Sequence, residues 1–561
     1  MQFHLSRIIS HRTSFAKGLL CSFTLALGWV AAMPQTQAAE SVTIRLGPFQ
    51  QSVAISDLEK FAKTGTLPDS LKTYASFLTP ETRELLNRQL QVDPKFADKF
   101  FNEIVSTPVG RQLMSSLEAA IPGSTTETLQ TALNLSLRQV NGLSVLSFLR
   151  AYPGENVTVD ATQAVSLAVK FNPNQLQSQA FGVLLARELQ EKSNTRFQAA
   201  FDAASPGKET VNQQQLVLQD GERNRRIAVD LYWSRGDSQH SSQQLSQQAS
   251  QQPLVVISHG FGASRRSLEY LARHFASYGI SVAAIEHPGS NYAAVAQAAN
   301  AGNLNTILPA TEFIDRPKDV SFLLNELAKL NTQPGQLQGK LNTDKVTVIG
   351  HSLGGYTGLA LAGGEIDLDN LRQFCKTSLS FSQSPGDWLQ CAAASLKEDK
   401  LQLQDRRVKS IIALNPLVGK LFGKNGLSKI QEPVLIVSGT EDGLTPALRH
   451  QIQPFNELRS NKYLLTAIGG THLSISDPAY LGSAATTIVK EKLGQETKNL
   501  RLLTQGVSLA FIKQLTPEAQ NYKPFLTPAY AQSLSTPEIP LRLVTELPGS
   551  IKPWLDFTVK K

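Results

Sequence analysis

The sequence predicts a mostly parallel, doubly wound α/β sheet that follows a helical region. Short, continuous apolar runs such as Leu254–Ser258 and Val408–Leu414 alternate with longer helical segments after about residue 205. Strands that are apolar throughout are typical of parallel sheets covered by helices on both faces. Residues 40–204 instead show helical periodicity and contain no His or Cys, so we expect an all-helical accessory domain there.

The first 39 residues have the pattern of a secretory signal peptide. Three cations and no acidic residue precede an apolar run from Gly18 to Ala32, and small residues follow at Ala38 and Ala39. The run of about 15 residues is shorter than the roughly 20 that a membrane-spanning helix needs, which favours cleavage over an anchor. We therefore expect an exported protein of the periplasm, the thylakoid lumen or the extracellular space.

Composition indicates a globular chain without a nucleic-acid partner. Hydrophobic residues make up 41% and charged residues 18%, and the formal net charge of +8 includes the three cations of the leader. A net charge this small, with no long Lys/Arg block, argues against nucleic-acid binding. The two cysteines outside the leader, Cys375 and Cys391, favour a disulfide in an exported protein, with two free thiols as the alternative.

The predicted elements follow in order from residue 205. Leu216–Leu218 and Arg226–Trp233 are expected to form two strands around the turn at Asp220–Gly221, and a Ser/Gln-rich loop occupies Asp237 to Gln252. The later predicted strands are Leu254–Ser258, Ser281–Glu286, Lys345–Ile349, Val408–Leu414, Pro433–Ser438 and Tyr463–Ala467, and the predicted helices are Arg266–Tyr278, Phe313–Leu330 and one after Ser352.

Two segments interrupt or follow this alternation. Residues 363–404 carry both cysteines and predict a lid-like insertion over the carboxyl edge of the sheet. The tail from Lys513 onward is rich in Pro and is expected to wrap the surface. The predicted organisation is therefore a leader (1–39), an accessory domain (40–204), a catalytic domain (205–500) and a C-terminal extension (501–561).

The strongest chemical signal is Gly350-His351-Ser352-Leu353-Gly354, which follows a β-branched run and precedes a helix rich in small residues. A sharp turn from strand to helix needs small residues two positions either side of the serine, because larger side chains would clash. The turn exposes Ser352 as a nucleophile and points the N–H of Leu353 at developing negative charge. The alternative is a tight structural turn whose serine has no catalytic role.

Elimination among the nine histidines selects the base. His472 alone follows the last apolar strand and satisfies the chain order serine, acid, histidine. Asp442, in the loop after the strand that ends near Ser438, is the predicted acid, and Glu441 is its neighbouring competitor. A second oxyanion donor is expected from the N–H of Phe261 in the segment Ser258–Gly262, where His259 holds the loop. His287 is interpreted as architectural.

With these residues in place, the region from about Arg226 to Ile488 resembles the α/β-hydrolase superfamily. It is most similar to platelet-activating-factor acetylhydrolase-like and dienelactone-hydrolase-like enzymes, through the segments Arg226–Tyr232, His259–Gly262, Arg316–Val320 and Gly350–Gly355. The helical region resembles the uncharacterised domain that precedes such hydrolases in exported cyanobacterial proteins. One departure is Asn415, which stands where animal platelet-activating-factor acetylhydrolases carry their acid.

The resemblance implies hydrolysis of a carboxylic ester through an acyl-enzyme, with no metal or other cofactor. A lipase or esterase acting on a small-molecule or lipid-like ester is the predicted function. The alternatives are a serine peptidase or amidase, since the same residues serve both, and a binding protein built on a degenerate hydrolase. Contact with a membrane surface, oligomeric state, acyl length and head group are left open by the sequence.

Overall fold

The computed structural model describes residues 38–46, 49–74, 78, 83, 86–87, 108–137, 144–160, 163–164, 167, 173–191, 197–234, 251–301, 307–377, 383–398, 400–480, 491–551 and 555. Most of the predicted leader and of the Ser/Gln-rich loop lies outside them. Among the residues described, no helix combines the length and the apolar character that crossing a membrane requires. The chain divides into two compact units, Met1–Leu71 with Leu86–Val159 and Lys72–Leu85 with Asp160–Lys561.

The first unit contains a small sheet as well as helices, which corrects the expectation of an all-helical domain. Its sheet has the order β2-β1-β3, with strands β1 Ser41–Leu46, β2 Phe49–Ala54 and β3 Asn156–Asp160. Val42 and Val53 lie opposite each other in the antiparallel β1–β2 pair, and both are buried. The helices are α1 Ile55–Thr64, α2 Pro108–Ala120, α3 Thr126–Leu137 and α4 Val145–Ala151.

The second unit is built on a 9-stranded sheet of order β12-β11-β10-β9-β8-β6-β7-β5-β4. Its strands are β4 Val211–Asp220, β5 Arg225–Ser234, β6 Leu254–Ser258, β7 Val282–Ile285, β8 Val346–His351, β9 Val408–Leu414, β10 Val434–Gly439, β11 Lys462–Ala467 and β12 Leu541–Val544. Neighbours from β7 to β11 pair in parallel. The predicted α/β sheet is confirmed.

Helices cover this sheet on both faces. They are α5 Pro173–Glu188, α6 Glu269–Ala276, α7 Tyr292–Asn300, α8 Glu312–Thr332, α9 Leu353–Leu361, α10 Leu368–Thr377, α11 Pro385–Gln390, α12 Gln453–Glu457, α13 Lys498–Lys513, α14 Ala519–Tyr522 and α15 Pro528–Ser533. One apolar cluster packs α8 and α9 on one face, and a second packs α6 and α13 on the other. The apolar strands are buried because both faces are covered.

Helix α5 belongs to the second unit, although the sequence assigns its residues to the accessory domain. Phe181, Leu185 and Leu189 join the core of the large sheet. A Cβ atom at Gly182 would lie 2.8 Å from Oγ1 of Thr440, so glycine lets the helix approach the loop after β10 closely.

The C-terminal tail is also part of the sheet rather than a surface wrap. Strand β12 pairs antiparallel with β11, and Leu541 and Leu543 are buried there. The preceding helix α13 buries Leu503 and Val507 against the sheet. The tail therefore completes one edge of the 9-stranded sheet.

Candidate active site

Ser352 lies in a sharp turn between strand β8 and helix α9. Its backbone has φ 55° and ψ −116°, a strained conformation for a residue with a side chain. A Cβ atom at Gly350 would lie 1.9 Å from the carbonyl oxygen of Gly354, and one at Gly354 would lie 2.1 Å from that of Ser258. Glycine is therefore required at both positions for this turn to form.

Asp442 and His472 form a buried pair at the ends of neighbouring strands. Asp442 follows β10 and is fully buried, and its Oδ2 lies 2.8 Å from Nδ1 of His472, which follows β11. Burial disfavours charge on both groups, but their mutual attraction outweighs it, so the pKa of Asp442 is lowered and that of His472 is raised. With Nδ1–H donating to Asp442, Nε2 of His472 is available as a base.

The Asp442 carboxylate is held by donors from three separate segments. Its Oδ2 accepts from Nδ2 of Asn415 and Nε2 of Gln451, each at 2.9 Å, and the Thr445 hydroxyl lies 2.8 Å away. Its Oδ1 accepts from the backbone N–H groups of Leu444 at 3.0 Å and Thr445 at 2.7 Å. These contacts fix the carboxylate in orientation and keep it ionised. None of these donors was predicted from the sequence.

His351, next to Ser352, has a supporting contact that the sequence did not indicate. Its Nε2 donates to the carbonyl oxygen of His472 at 3.0 Å, and the two rings lie 4.6 Å apart. Burial lowers the pKa of His351 to about 3, so the ring is neutral. It therefore supports the backbone of the His472 loop and is not a competing base.

The predicted oxyanion donors lie on two segments around Ser352. A Cβ atom at Gly260 would lie 3.2 Å from Cβ of Ser352, which shows how closely this loop packs against Ser352. Within the part of the chain that the structure describes, the N–H groups of Phe261 and Leu353 donate to no other group. Both are available for an oxygen that develops negative charge.

His259 and His287 hold the segment that carries Phe261. His259 Nδ1 donates to the carbonyl oxygen of Gly260 at 2.7 Å, and its Nε2 accepts from the backbone N–H of His287 at 3.0 Å. His287 lies 3.0 Å from both Ser258 Oγ and Asp319 Oδ2. Burial, with the nearby Arg316 cation, lowers the pKa of both imidazoles well below the ordinary range. Both are therefore neutral, buried supports.

The competing acid, Glu441, is engaged elsewhere. Its carboxylate pairs with Nζ of Lys492 at 3.1 Å, and its side chain is 41% exposed. A different carboxylate, Glu491, was missed by the sequence analysis. Its Oε2 accepts from the N–H of Leu473 at 2.8 Å; burial raises its pKa to about 7, and its charge helps raise the pKa of His472. The loop that holds His472 is therefore fixed partly by Glu491.

The insertion after α9 is held beside the loop that follows β10 and carries Asp442, which we call the acid loop. Cys375 and Cys391 form a disulfide, as predicted. The N–H of Gly386 donates to the carbonyl oxygen of Leu444 at 2.8 Å, and buried Asp387 lies 3.3 Å from His450 on the turn after that loop. Residues 378–382, which are part of the predicted lid-like insertion, lie outside the described residues.

Two further observations concern metal binding and cavities in the described residues. In the described ranges, no group of three His, Cys, Asp or Glu side chains is arranged to hold a metal ion. A cavity of about 690 Å³ lies elsewhere in the second unit, among residues that include Trp233, Tyr278 and Lys513. None of the predicted site residues lines it.

Comparison with known proteins agrees with this architecture. Residues 38–160 match the family model described as an alpha/beta hydrolase of unknown function (DUF1400), and residues 253–365 match the alpha/beta hydrolase fold. Platelet-activating factor acetylhydrolase of Cavia porcellus is 33% identical over 132 residues, and that of Canis lupus familiaris 34% over 135 residues. Each match covers 19% of this chain and 30% of the relative.

The matched part is limited, so the relatives' whole activity does not transfer with it. The family models and the sheet nevertheless agree with each other and with the fold expected from the sequence, and the fold indicates a hydrolase. The chain has the α/β-hydrolase fold, and two of its segments match α/β-hydrolase family models.

Proposed function

We propose that the protein is a serine carboxylic-ester hydrolase that works through an acyl-enzyme on Ser352. His472 is the general base and Asp442 the acid that orients it. The observation that carries the proposal is the buried pair of His472 Nδ1 and Asp442 Oδ2 at 2.8 Å, beside a strained strand-to-helix turn that carries a serine. A serine hydroxyl is a weak nucleophile unless such a base removes its proton.

Acylation begins when Ser352 Oγ attacks the carbonyl carbon of the ester and Nε2 of His472 takes the hydroxyl proton. The negative charge that forms on the carbonyl oxygen is accepted by the N–H groups of Phe261 and Leu353. The bond between the carbonyl carbon and the alkoxy oxygen then breaks, and His472 gives its proton to the leaving alcohol. Asp442 stays ionised throughout and stabilises the imidazolium.

Deacylation repeats these steps with water as the nucleophile. His472 removes a proton from water, the hydroxide attacks the Ser352 ester, and the same two N–H groups accept the oxyanion. Collapse of this intermediate releases the carboxylic acid and returns the proton to Ser352. No metal or organic cofactor is needed for this sequence.

The substrate is proposed to be an ester with a lipid-like acyl group. The names of the two relatives support an ester of this kind, and the insertion beside the acid loop supports a covered acyl site. Its Trp388 side chain is 40% exposed, so an apolar surface of the insertion is open to contact with an apolar ligand. Export is part of the proposal and rests on the pattern of residues 1–39.

The experiment that tests the proposal compares purified wild type with Ser352→Ala. Wild type should hydrolyse p-nitrophenyl esters and react covalently with a fluorophosphonate, and Ser352→Ala should do neither. Ser428→Ala is the matched control, because Ser428 is a half-buried serine whose hydroxyl is hydrogen-bonded, among the described residues, to the carbonyl oxygen of Asn425 alone. Labelling of Ser352→Ala at the wild-type level, or retention of more than about a tenth of the activity, contradicts the proposal. A peptide amide substrate assayed alongside separates esterase from amidase.

A further inference from the structure

A buried guanidinium lies between the two segments that carry the proposed oxyanion donors. Arg316, on helix α8, is fully buried. Its Nη2 donates to the carbonyl oxygen of His259 and, at 3.2 Å, to Oγ of Ser258. These contacts hold the end of strand β6, two residues before Phe261. In the sequence, Arg316 stands out only as the first residue of the segment Arg316–Val320 that resembles the family.

The same guanidinium also reaches the helix that begins with Leu353. Its Nε donates to Oγ1 of Thr357 at 3.2 Å, and that hydroxyl in turn donates to the carbonyl oxygen of Leu353 at 3.0 Å. Because a guanidinium is planar and rigid, its donors keep a fixed relation to each other. One side chain thus connects the two backbone segments whose N–H groups must converge on one oxygen atom.

The positive charge of Arg316 is balanced by a carboxylate that it reaches only through a serine hydroxyl. No described carboxylate forms a direct ion pair with it, but Nη1 donates to Oγ of Ser290 at 2.8 Å, and Ser290 donates to Oε2 of Glu312. Burial lowers the pKa of Arg316 to about 10, so it remains protonated at neutral pH. Replacing it therefore removes both a charge and a set of directed hydrogen bonds.

We propose that Arg316 is a positioning residue that sets the spacing between the N–H groups of Phe261 and Leu353. The inference rests on the proposed ester hydrolysis, since the two donors matter only if an oxyanion forms. Arg316 does not touch the reacting atoms. Its effect should therefore appear in the stability of the tetrahedral intermediate and not in the titration of His472.

The test uses Arg316→Met and Arg316→Lys in the full chain. Loss of one well-placed oxyanion donor lowers kcat by about 10²- to 10³-fold, so Arg316→Met should lower kcat by about 10²-fold with KM nearly unchanged. The inhibition constant of a trifluoromethyl ketone, which forms a tetrahedral oxyanion with the serine, should rise in parallel. Arg316→Lys keeps the charge but cannot hold both segments, and should resemble Arg316→Met.

A milder variant covers the case in which the Arg316 variants do not fold. Thr357→Val removes only the hydroxyl that links the guanidinium to α9, and should lower kcat by about three- to tenfold. Thr504→Val is the matched control, because Thr504 is buried on α13 and its hydroxyl donates to the carbonyl oxygen of Leu500 at 2.8 Å, the same i−4 bond as in Thr357. It should lose no activity.

The outcomes separate this inference from the proposed function. If wild type is active and Ser352→Ala is not, the proposed function stands. The Arg316 variants then test only the positioning role of Arg316. Wild-type kcat and ketone affinity in Arg316→Lys would overturn the spacing role and leave only the charge. Equal losses in Thr357→Val and Thr504→Val would overturn it as well, because they would reflect general destabilisation. A shifted acidic limb of the pH profile in Arg316→Lys would show that the residue acts through His472 instead.

Discussion

Replacing Asp442 by Asn tests how the carboxylate acts on His472. The carboxylate is surrounded by donors: Oδ2 faces His472, Asn415 and Gln451, and Oδ1 faces two backbone N–H groups. An amide has one NH₂ group, which must face donors in either orientation. If the NH₂ group takes the position of Oδ2, it donates to Nδ1 of His472, which then has to accept a hydrogen bond. The imidazole proton moves to Nε2, and that nitrogen can no longer act as the base.

The expected loss in kcat is large. In a serine hydrolase, the same carboxylate-to-amide change lowers kcat by about 10⁴-fold through the wrong imidazole tautomer. The mismatch with surrounding donors also leaves at least one buried group unsatisfied, which costs about 1–3 kcal/mol of the free energy of unfolding. The variant should therefore fold with reduced stability and be nearly inactive.

The pH profile of the residual activity gives a second readout. His472 must be neutral to take a proton, so activity is lost as the pH falls through the pKa of His472. Asp442 raises that pKa above the ordinary value of a histidine in the wild type, against the effect of burial. Without the carboxylate, burial dominates, and the acidic limb of kcat/KM should move to lower pH. The assay follows p-nitrophenyl butyrate at the isosbestic wavelength of the product.

Glu441→Gln is the control, because it removes a carboxylate one residue earlier. Glu441 pairs with Lys492 and is 41% exposed. Its loss should change kcat and the acidic limb little, since exposed ion pairs contribute about 0–1 kcal/mol. If Asp442→Asn keeps more than about a tenth of the activity, or if Glu441→Gln is the more damaging change, the assigned acid is wrong.

Three further predictions concern stability and substrate. Replacing Cys375 and Cys391 by Ser should lower the free energy of unfolding by roughly 3 kcal/mol in the chain-entropy model for a loop of about 15 residues, measured by urea unfolding; an unchanged midpoint would contradict this. A chain that starts at residue 205 lacks α5 and should unfold at lower urea concentration than one that starts at residue 160; equal midpoints would show that α5 is dispensable. Longer acyl esters should gain up to about 0.8 kcal/mol for each buried CH₂ in kcat/KM, and a steady fall from the acetyl ester onward would instead indicate a small closed pocket.

The sequence predicts best those parts of the molecule that local chemistry determines. The turn at Ser352 needs small residues at fixed spacing, and the central strands need continuous apolar runs, so both can be identified without the fold. Strand β12 has four residues in a Pro-rich segment, and β2 has Gln50 and Gln51 within its six residues, so neither has a clear strand pattern. These edges form because a neighbouring strand supplies the pairing, which the sequence does not reveal.

The supporting polar residues of the site could not be predicted for a related reason. Asn415 and Arg316 are distant in sequence from the groups that they contact, and Gln451 lies beyond the local turn, nine residues after Asp442. A buried Arg is rare, and its position in a helix with charged neighbours resembles a solvated face until the packing is known. The exceptions are the backbone N–H groups of Leu444 and Thr445, because an Asp side chain commonly accepts hydrogen bonds from the backbone just after it.

The order of strands in the sheet explains why the acid can stand at Asp442 while Asn415 has an amide. Strands β6, β8, β9, β10 and β11 are consecutive neighbours and parallel, so their carboxyl ends lie side by side at one edge. These ends carry, in that order, the Phe261 segment, Ser352, Asn415, Asp442 and His472. Asp442 is therefore one strand from His472, and Asn415 is next to it, with Nδ2 2.9 Å from Oδ2. Because adjacent strands lie about 4.8 Å apart, the end of β9 and the end of β10 approach the same point. The amide at Asn415 then donates a hydrogen bond to the Asp442 carboxylate. A carboxylate at position 415 would instead repel it.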